Sequence, residues 1–215
     1  MKRMALVLVA LLLLTPRAAG AASPYYEGWD SGSLGIWQPN TLQDSVAVVP
    51  SGGHPNGFLR CWGTASANWP IGMMTYDPAC TGDFASIDQI SFDLRFIAGT
   101  QFGETMFRVR YLDGYHNGWH YTLSTTFPIG IWVPFTIPLD PDWTDAQATA
   151  AGWVQETVSA HFAETMAHVF TTEIRINGVG YLEAGVDEFR LRANPAVGVG
   201  SQDFVSWGRM RSAYR

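Results

Sequence analysis

Period-two alternation dominates this chain after its first two dozen residues, and it decides the fold class. Around SFDLRF (91–96), Ile90, Phe92, Leu94 and Phe96 fall on one side, and Ser91, Asp93 and Arg95 on the other. FRVRY (107–111) sets Phe107, Val109 and Tyr111 against Arg108 and Arg110, and TTEIRIN (171–177) sets Ile174 and Ile176 against Glu173 and Arg175. Such alternation means strands with one face in a core and one face in water. VPFTIPL (133–139) also alternates, but Pro134 and Pro138 cannot donate to a ladder, which predicts an edge strand. Further short strands are expected at 46–49, 58–63, 70–76, 119–124 and 184–193. Short strands separated by Gly, Pro, Asn and Asp turns predict an all-β fold, a two-sheet antiparallel β-sandwich. Residues 144–170 interrupt the pattern. Phe162, Met166, Val169 and Phe170 recur there at helical spacing, so one or two short helices are expected between the late strands, across one end of the sandwich.

The first residues stand apart from this pattern. Lys2 and Arg3 precede an apolar run from Met4 to Leu14, too short to span a bilayer and of the length of a signal-peptide core. Ala19-Gly20-Ala21 fits a small-residue cleavage site. The expected organisation is a signal peptide over 1–21, a sandwich domain over 22–193, and a linker with a short basic-aromatic tail over 194–215. That tail carries Trp207, Arg209, Arg211 and Arg215 and suits attachment to an anionic surface. The expected destination is the periplasm, the cell surface or the exterior.

The formal net charge is −6, and Lys2 is the only lysine. Loss of the signal makes the chain more acidic still and lysine-free. This excludes nucleic-acid binding by clustered cations, and Schiff-base or phosphate-loop lysine chemistry. No transmembrane segment follows the signal. In an exported chain Cys61 and Cys80 are expected to form a disulfide, the alternative being two buried thiols.

Two distant stretches carry acids. YYEGWDSGSLGIWQPN (25–40) holds Glu27 and Asp30; GVDEFRL (185–191) holds Asp187. Alternation from Phe189 and Leu191 sends Asp187 toward the core, where a carboxylate needs a basic partner, backbone N–H groups or a metal ion. Glu27 and Asp30 would repel Asp187 unless a cation lay between them. Carboxylates and loop carbonyls, to which SGGHPNG (51–57) could add, are what Ca²⁺ takes. The order of these stretches, WDSGSLGIWQPN, SFDLRF, IWVPFTIPL, a helical segment and FTTEIRINGVGYLEAGVDEFRL, resembles the laminin B (laminin IV type A) domain and carbohydrate-binding jelly rolls over residues 25–193. The resemblance implies a β-sandwich that binds rather than catalyses. It also implies a structural calcium held by N-terminal acids and an Asp of the last strand, here Glu27, Asp30 and Asp187. Glu188 departs from the pattern, in which Asn often stands at that place.

RYLDGYHNGWHYTL (110–123) contains Asn117-Gly118, a hairpin-turn signal, flanked by Tyr115, His116, Trp119, His120 and Tyr121. Flat rings beside polar donors suit a sugar ring or a protein partner, so these five residues are the expected ligand site. Their alternative is ordinary sheet packing. Catalytic patterns are absent: there is no G-x-S-x-G, and His161 and His168 do not form H-E-x-x-H. A sandwich glycosidase needs two facing carboxyls. Glu104, Asp113, Glu173 and Glu183 qualify only by composition. The reading is therefore a secreted, non-enzymatic module for carbohydrate or an extracellular protein. A polysaccharide hydrolase or lyase, and a surface protein without a small ligand, are the alternatives.

Overall fold

A computed structural model describes residues 24–99, 101–111, 117–124, 128–156 and 160–193. The expected signal peptide and tail lie outside the described residues. Strands run in the order β1 (Tyr25–Glu27), β2 (Gln38–Pro39), β3 (Asp44–Val49), β4 (Phe58–Ala65), β5 (Ile71–Thr75), β6 (Ile87–Ala98), β7 (Phe102–Arg110), β8 (Gly118–Ser124) and β9 (Val133–Pro138). Then come α1 (Asp145–Ala150), β10 (Trp153–Gln155), α2 (Phe162–Ala167), β11 (Thr171–Gly178) and β12 (Gly180–Ala193).

These strands form two antiparallel sheets. The first has the order β3-β4-β12-β6-β9, with β1 also paired to β12; the second has the order β10-β8-β7-β11-β5-β2. β9 is an edge strand, as its two prolines require. The opening strand lies against the closing one, with Tyr25 opposite Leu191 and Glu27 opposite Phe189. Inward rows from both sheets, among them Leu59, Phe92, Leu94, Phe107, Ile174, Val186 and Phe189, are buried between them. Aromatic rings run through this interior in sequence. Trp29 meets Trp37 at 6.1 Å, Trp37 meets Phe189 at 4.9 Å, and Phe107 joins Phe189 to Trp153. Phe162 then stands edge-on to both Trp153 and Trp119, at 5.4 and 5.1 Å. Such pairs add about 0.5–1.5 kcal/mol each beyond the area they bury.

The helical segment holds two short helices, as expected. Thr144 and Gln147 form a reciprocal capping box that starts α1, and α1 stops after six residues. The chain then pairs as β10 before α2 begins at Phe162. Val169 lies beyond α2 and bridges to Gly82 instead.

Two expectations are corrected. Cys61 and Cys80 are free, buried thiols and not a disulfide. Cys61 sits on β4 opposite Val46 and Ala184, whereas Cys80 lies in a turn whose N–H donates to the Asp77 carbonyl. Each acts as a small core hydrophobe, and burial pushes both thiols up. Asp187 does not share the face of Phe189 and Leu191. A β-bulge with Glu188 at φ +52° shifts the register between Asp187 and Arg190. Val186 and Phe189 both remain buried, and Asp187 pairs with Asp93 on the outer side of the first sheet.

Candidate functional site

The outward side of the second sheet carries a row of charge. His120, Arg108 and Glu173 stand opposite one another on β8, β7 and β11, with Met74 of β5 next. The alternation that drives Phe107, Val109, Ile174 and Ile176 inward puts these side chains on the far face. The sequence suggests that they are wet. The structure instead buries Arg108 (1% exposed) and Glu173 (0%).

Burial at this depth requires full pairing, and Arg108 obtains it from two sides. Its Nε and Nη2 donate to Glu156 at 2.6 and 2.5 Å, a two-pronged pair, and its Nη1 donates to Glu173 Oε2 at 3.3 Å. Arg110 donates to the same Oε2 through Nε and Nη2, at 3.2 and 2.9 Å. Burial alone would push the Glu156 carboxyl up, but His120 and Arg108 outweigh it and hold the group at about 2. Three donors thus converge on one oxygen of Glu173. Its other oxygen, Oε1, is buried and has no hydrogen-bond partner among the described residues. A buried acceptor left over in this way is an unmet hydrogen-bonding demand beneath the charged face.

Aromatic rings border this floor. Tyr76, just after β5, and Phe170, just before β11, stand edge to face at 5.3 Å, each 40% exposed. Tyr111 meets His168 at 6.0 Å. The Phe170 N–H donates to the Arg110 carbonyl at 2.7 Å, which ties this rim to the row of charge.

The expected ligand residues fall differently. Tyr115 and His116 lie outside the described residues. Trp119 is wholly buried, its ring against Phe162 and its indole N–H donating to the Ala160 carbonyl at 3.1 Å, so it offers no face to a ligand. Tyr121 packs on Trp153 at 5.8 Å. His120 alone of the three belongs to the outward face, with Nδ1 3.5 Å from Glu156 Oε1. Asn117-Gly118 is not the centre of a two-residue turn either. Gly118 is the first rung of β8, opposite Arg110, and the connection spans the residues between Tyr111 and Asn117. The residues missed by the sequence reading are Arg108, Arg110, Tyr76, Phe170 and Tyr111. Opposite charges on the wet sides of two alternating strands were the available signal.

Glu27, Asp30 and Asp187 come to one corner of the molecule, on the other sheet. Glu27 accepts the Trp29 N–H at 3.0 Å and the Tyr25 hydroxyl at 3.2 Å. Asp30 accepts the Gly57 N–H at 3.1 Å. Asp187 accepts the N–H groups of His54 and Glu188. Backbone donors are therefore the compensation that buried Asp187 receives. Burial, with Glu188 and Asp30 adding to it, still pushes its carboxyl up to about 6. The 51–57 loop lies close over this acid. A Cβ at Gly53 would stand 2.5 Å from Asp187 Oδ2, and one at Gly57 would stand 2.5 Å from the Trp29 carbonyl oxygen. Among the described residues no group of three or more His, Cys, Asp or Glu side chains has metal-holding spacing.

The carboxyls considered for hydrolysis do not converge. Glu104 accepts the Thr122 hydroxyl at 2.6 Å, Glu183 pairs with Arg60 on the first sheet, and Asp113 lies outside the described residues. No helix among the described residues is long and apolar enough to cross a membrane.

No protein-family model matches the sequence, and no curated protein matches it. Solved structures do resemble it in fold. The family 11 carbohydrate-binding module of the cellulosomal cellulase Lic26A-Cel5E from Clostridium thermocellum aligns with a TM-score of 0.53 at 16% identity, covering 81% of this chain and 96% of that one. A structure of the family 11 module from Clostridium thermocellum in complex with a β-1,3-1,4-mixed-linked tetrasaccharide gives 0.52 at 15% identity, covering 80% and 96%. The CBM22-2 xylan-binding domain of Xyn10C from Paenibacillus barcinonensis gives 0.50 at 13% identity, covering 79% and 99%. At these identities the likeness is one of fold: a carbohydrate-binding-module β-sandwich.

Proposed function

We propose that this chain is an exported, non-enzymatic module that binds a neutral polysaccharide on the outward face of its second sheet. The observation that carries the reading is the exposed Tyr76–Phe170 rim, beside a row of guanidinium and carboxylate groups in which the buried Glu173 Oε1 is left without a partner among the described residues. Arg108 and Arg110 offset Glu173 and Glu156, so this face carries little net charge. That balance suits hydroxyls better than uronic acids. The mixed-linked glucan and xylan named for the similar modules supply the first probes. Glycosidase chemistry needs a carboxyl that is protonated at working pH. Glu156, held at about 2 by His120 and Arg108, is unsuited to that role.

Retention on insoluble xylan and mixed-linked β-glucan tests this reading. Glu173→Gln keeps the shape but gives up charge and acceptor strength, and Tyr76→Ala removes the rim. Each is expected to weaken retention about tenfold or more, with the fold intact. Retention unchanged by both substitutions would move the ligand elsewhere. No retention on any glycan would favour a surface protein without a small ligand. Release of reducing sugar would make the chain a hydrolase.

A structural Ca²⁺ at the Glu27–Asp30–Asp187 corner is part of the proposal. What supports it is the crowding of oxygens there: the Asp187 carboxylate, and the carbonyls of Gly57 and Trp29 close beneath the 51–57 loop. The expected result is a thermal midpoint that falls when a chelator is added and recovers with Ca²⁺. An unchanged midpoint would leave backbone N–H groups as the whole compensation for Asp187.

A further inference from the structure

A groove lies away from the sheet face. The segment entering α1 and the start of α2 enclose an open groove of about 430 Å³, lined by Asp142, Trp143, Asp145 and His161 among others. This is within the size range of small-molecule sites. Trp143 forms one wall. Its ring is half-buried, packed on the core and 6.1 Å from Phe162, so its position is fixed. Its indole N–H has no partner among the described residues.

The opposite side of the groove is also held in place. His161 Nδ1 is 2.7 Å from Asp145 Oδ2, and the other oxygen of Asp145 accepts the Phe162 N–H at 2.7 Å. This turns the imidazole so that Nε2 remains free for a ligand, and the side chain is 82% exposed. The hydrogen bond that His161 donates to Asp145 also raises the His161 pKa. The Asp142 backbone is fixed by its N–H donating to Asp140 at 3.1 Å, while its carboxylate has no partner among the described residues.

We infer that this groove takes a neutral sugar ring, stacked on Trp143 and hydrogen-bonded to Asp142 and His161. The aromatic wall matches the apolar side of a pyranose, and a carboxylate with a free imidazole nitrogen matches a hydroxyl pair. Two carboxylates against one histidine repel uronic acids and phosphates. Only the chemical class of the ligand rests on the glycan-binding reading; the groove's own geometry does not depend on the sheet face.

The test follows the Trp143 indole N–H signal in ¹H–¹⁵N spectra of the full chain, titrated with glucose, xylotetraose and a mixed-linked β-glucan tetrasaccharide. A saturable shift is expected with at least one of them. It should weaken about tenfold or more in Asp142→Ala and in His161→Ala, both surface changes that leave the core alone. The shift should persist in Glu173→Gln even where retention on insoluble polysaccharide is lost, which separates the two positions. A Trp143 signal unmoved by every sugar overturns the inference, whether or not polysaccharide is retained. A shift of equal strength in both groove variants overturns it too.

Discussion

Trp119→Ala is expected to lower folding stability by about 3–5 kcal/mol, the range for removing a large aromatic from a packed interior. The ring is wholly enclosed, stands edge-on to Phe162 and gives its N–H to the Ala160 carbonyl. Its removal opens a cavity at the point where α2 meets β8 and leaves that carbonyl only the Gln155 side-chain amide, at 3.3 Å, as a donor. Urea denaturation at neutral pH measures the effect as a lower midpoint with an unchanged slope. An unchanged midpoint with lost glycan retention would place the ring against ligand and contradict the packing described.

Arg108→Met is expected to cost a similar amount, about 3–5 kcal/mol, because it strands two buried carboxylates. Glu156 loses its two-pronged partner, and Glu173 keeps only Arg110. The pH dependence gives this prediction a second readout. In the parent chain Glu156 is held at about 2 against an ordinary 4.5, so its contribution is present above pH 4.5 and lost as pH falls toward 2. Without Arg108 the sign reverses for Glu156, since burial, the largest influence on it, then favours the protonated form. The stability gap between parent and variant should therefore narrow from pH 7 to pH 4. A gap that stays constant would mean that the two carboxylates do not depend on Arg108. The double change Arg108→Met with Glu173→Met should recover part of the loss.

Much of the architecture was legible because its signal is local. Alternation in SFDLRF, FRVRY and TTEIRIN placed β6, β7 and β11, and two prolines placed β9 at an edge. β1, β2 and β10 escaped because strands of two or three residues carry no period. The site was less legible for the same reason. Tyr76 and Phe170 lie at the ends of neighbouring strands but 94 positions apart in the chain, and only the register of β5 against β11 brings them together. Trp119 misled because a tryptophan beside polar neighbours looks the same on either side of a strand; which side is buried is settled by pairing with β7 and by α2. Asp187 misled for a different reason. One residue at positive φ, Glu188, reverses every inference of facing made across it.

The seam between β1 and β12 has a mechanical meaning. Tyr25 lies opposite Leu191 at its open end, so opposed tension applied through Pro24 and Arg192 would fall on one rung at a time rather than on all rungs at once. Peeling would stop near Phe189, where the ring is clamped between the layers by Trp37 and Phe107. A modest tug would thus free a three-residue flap while the body stayed shut, a mechanical fuse at the place where the polypeptide enters and leaves.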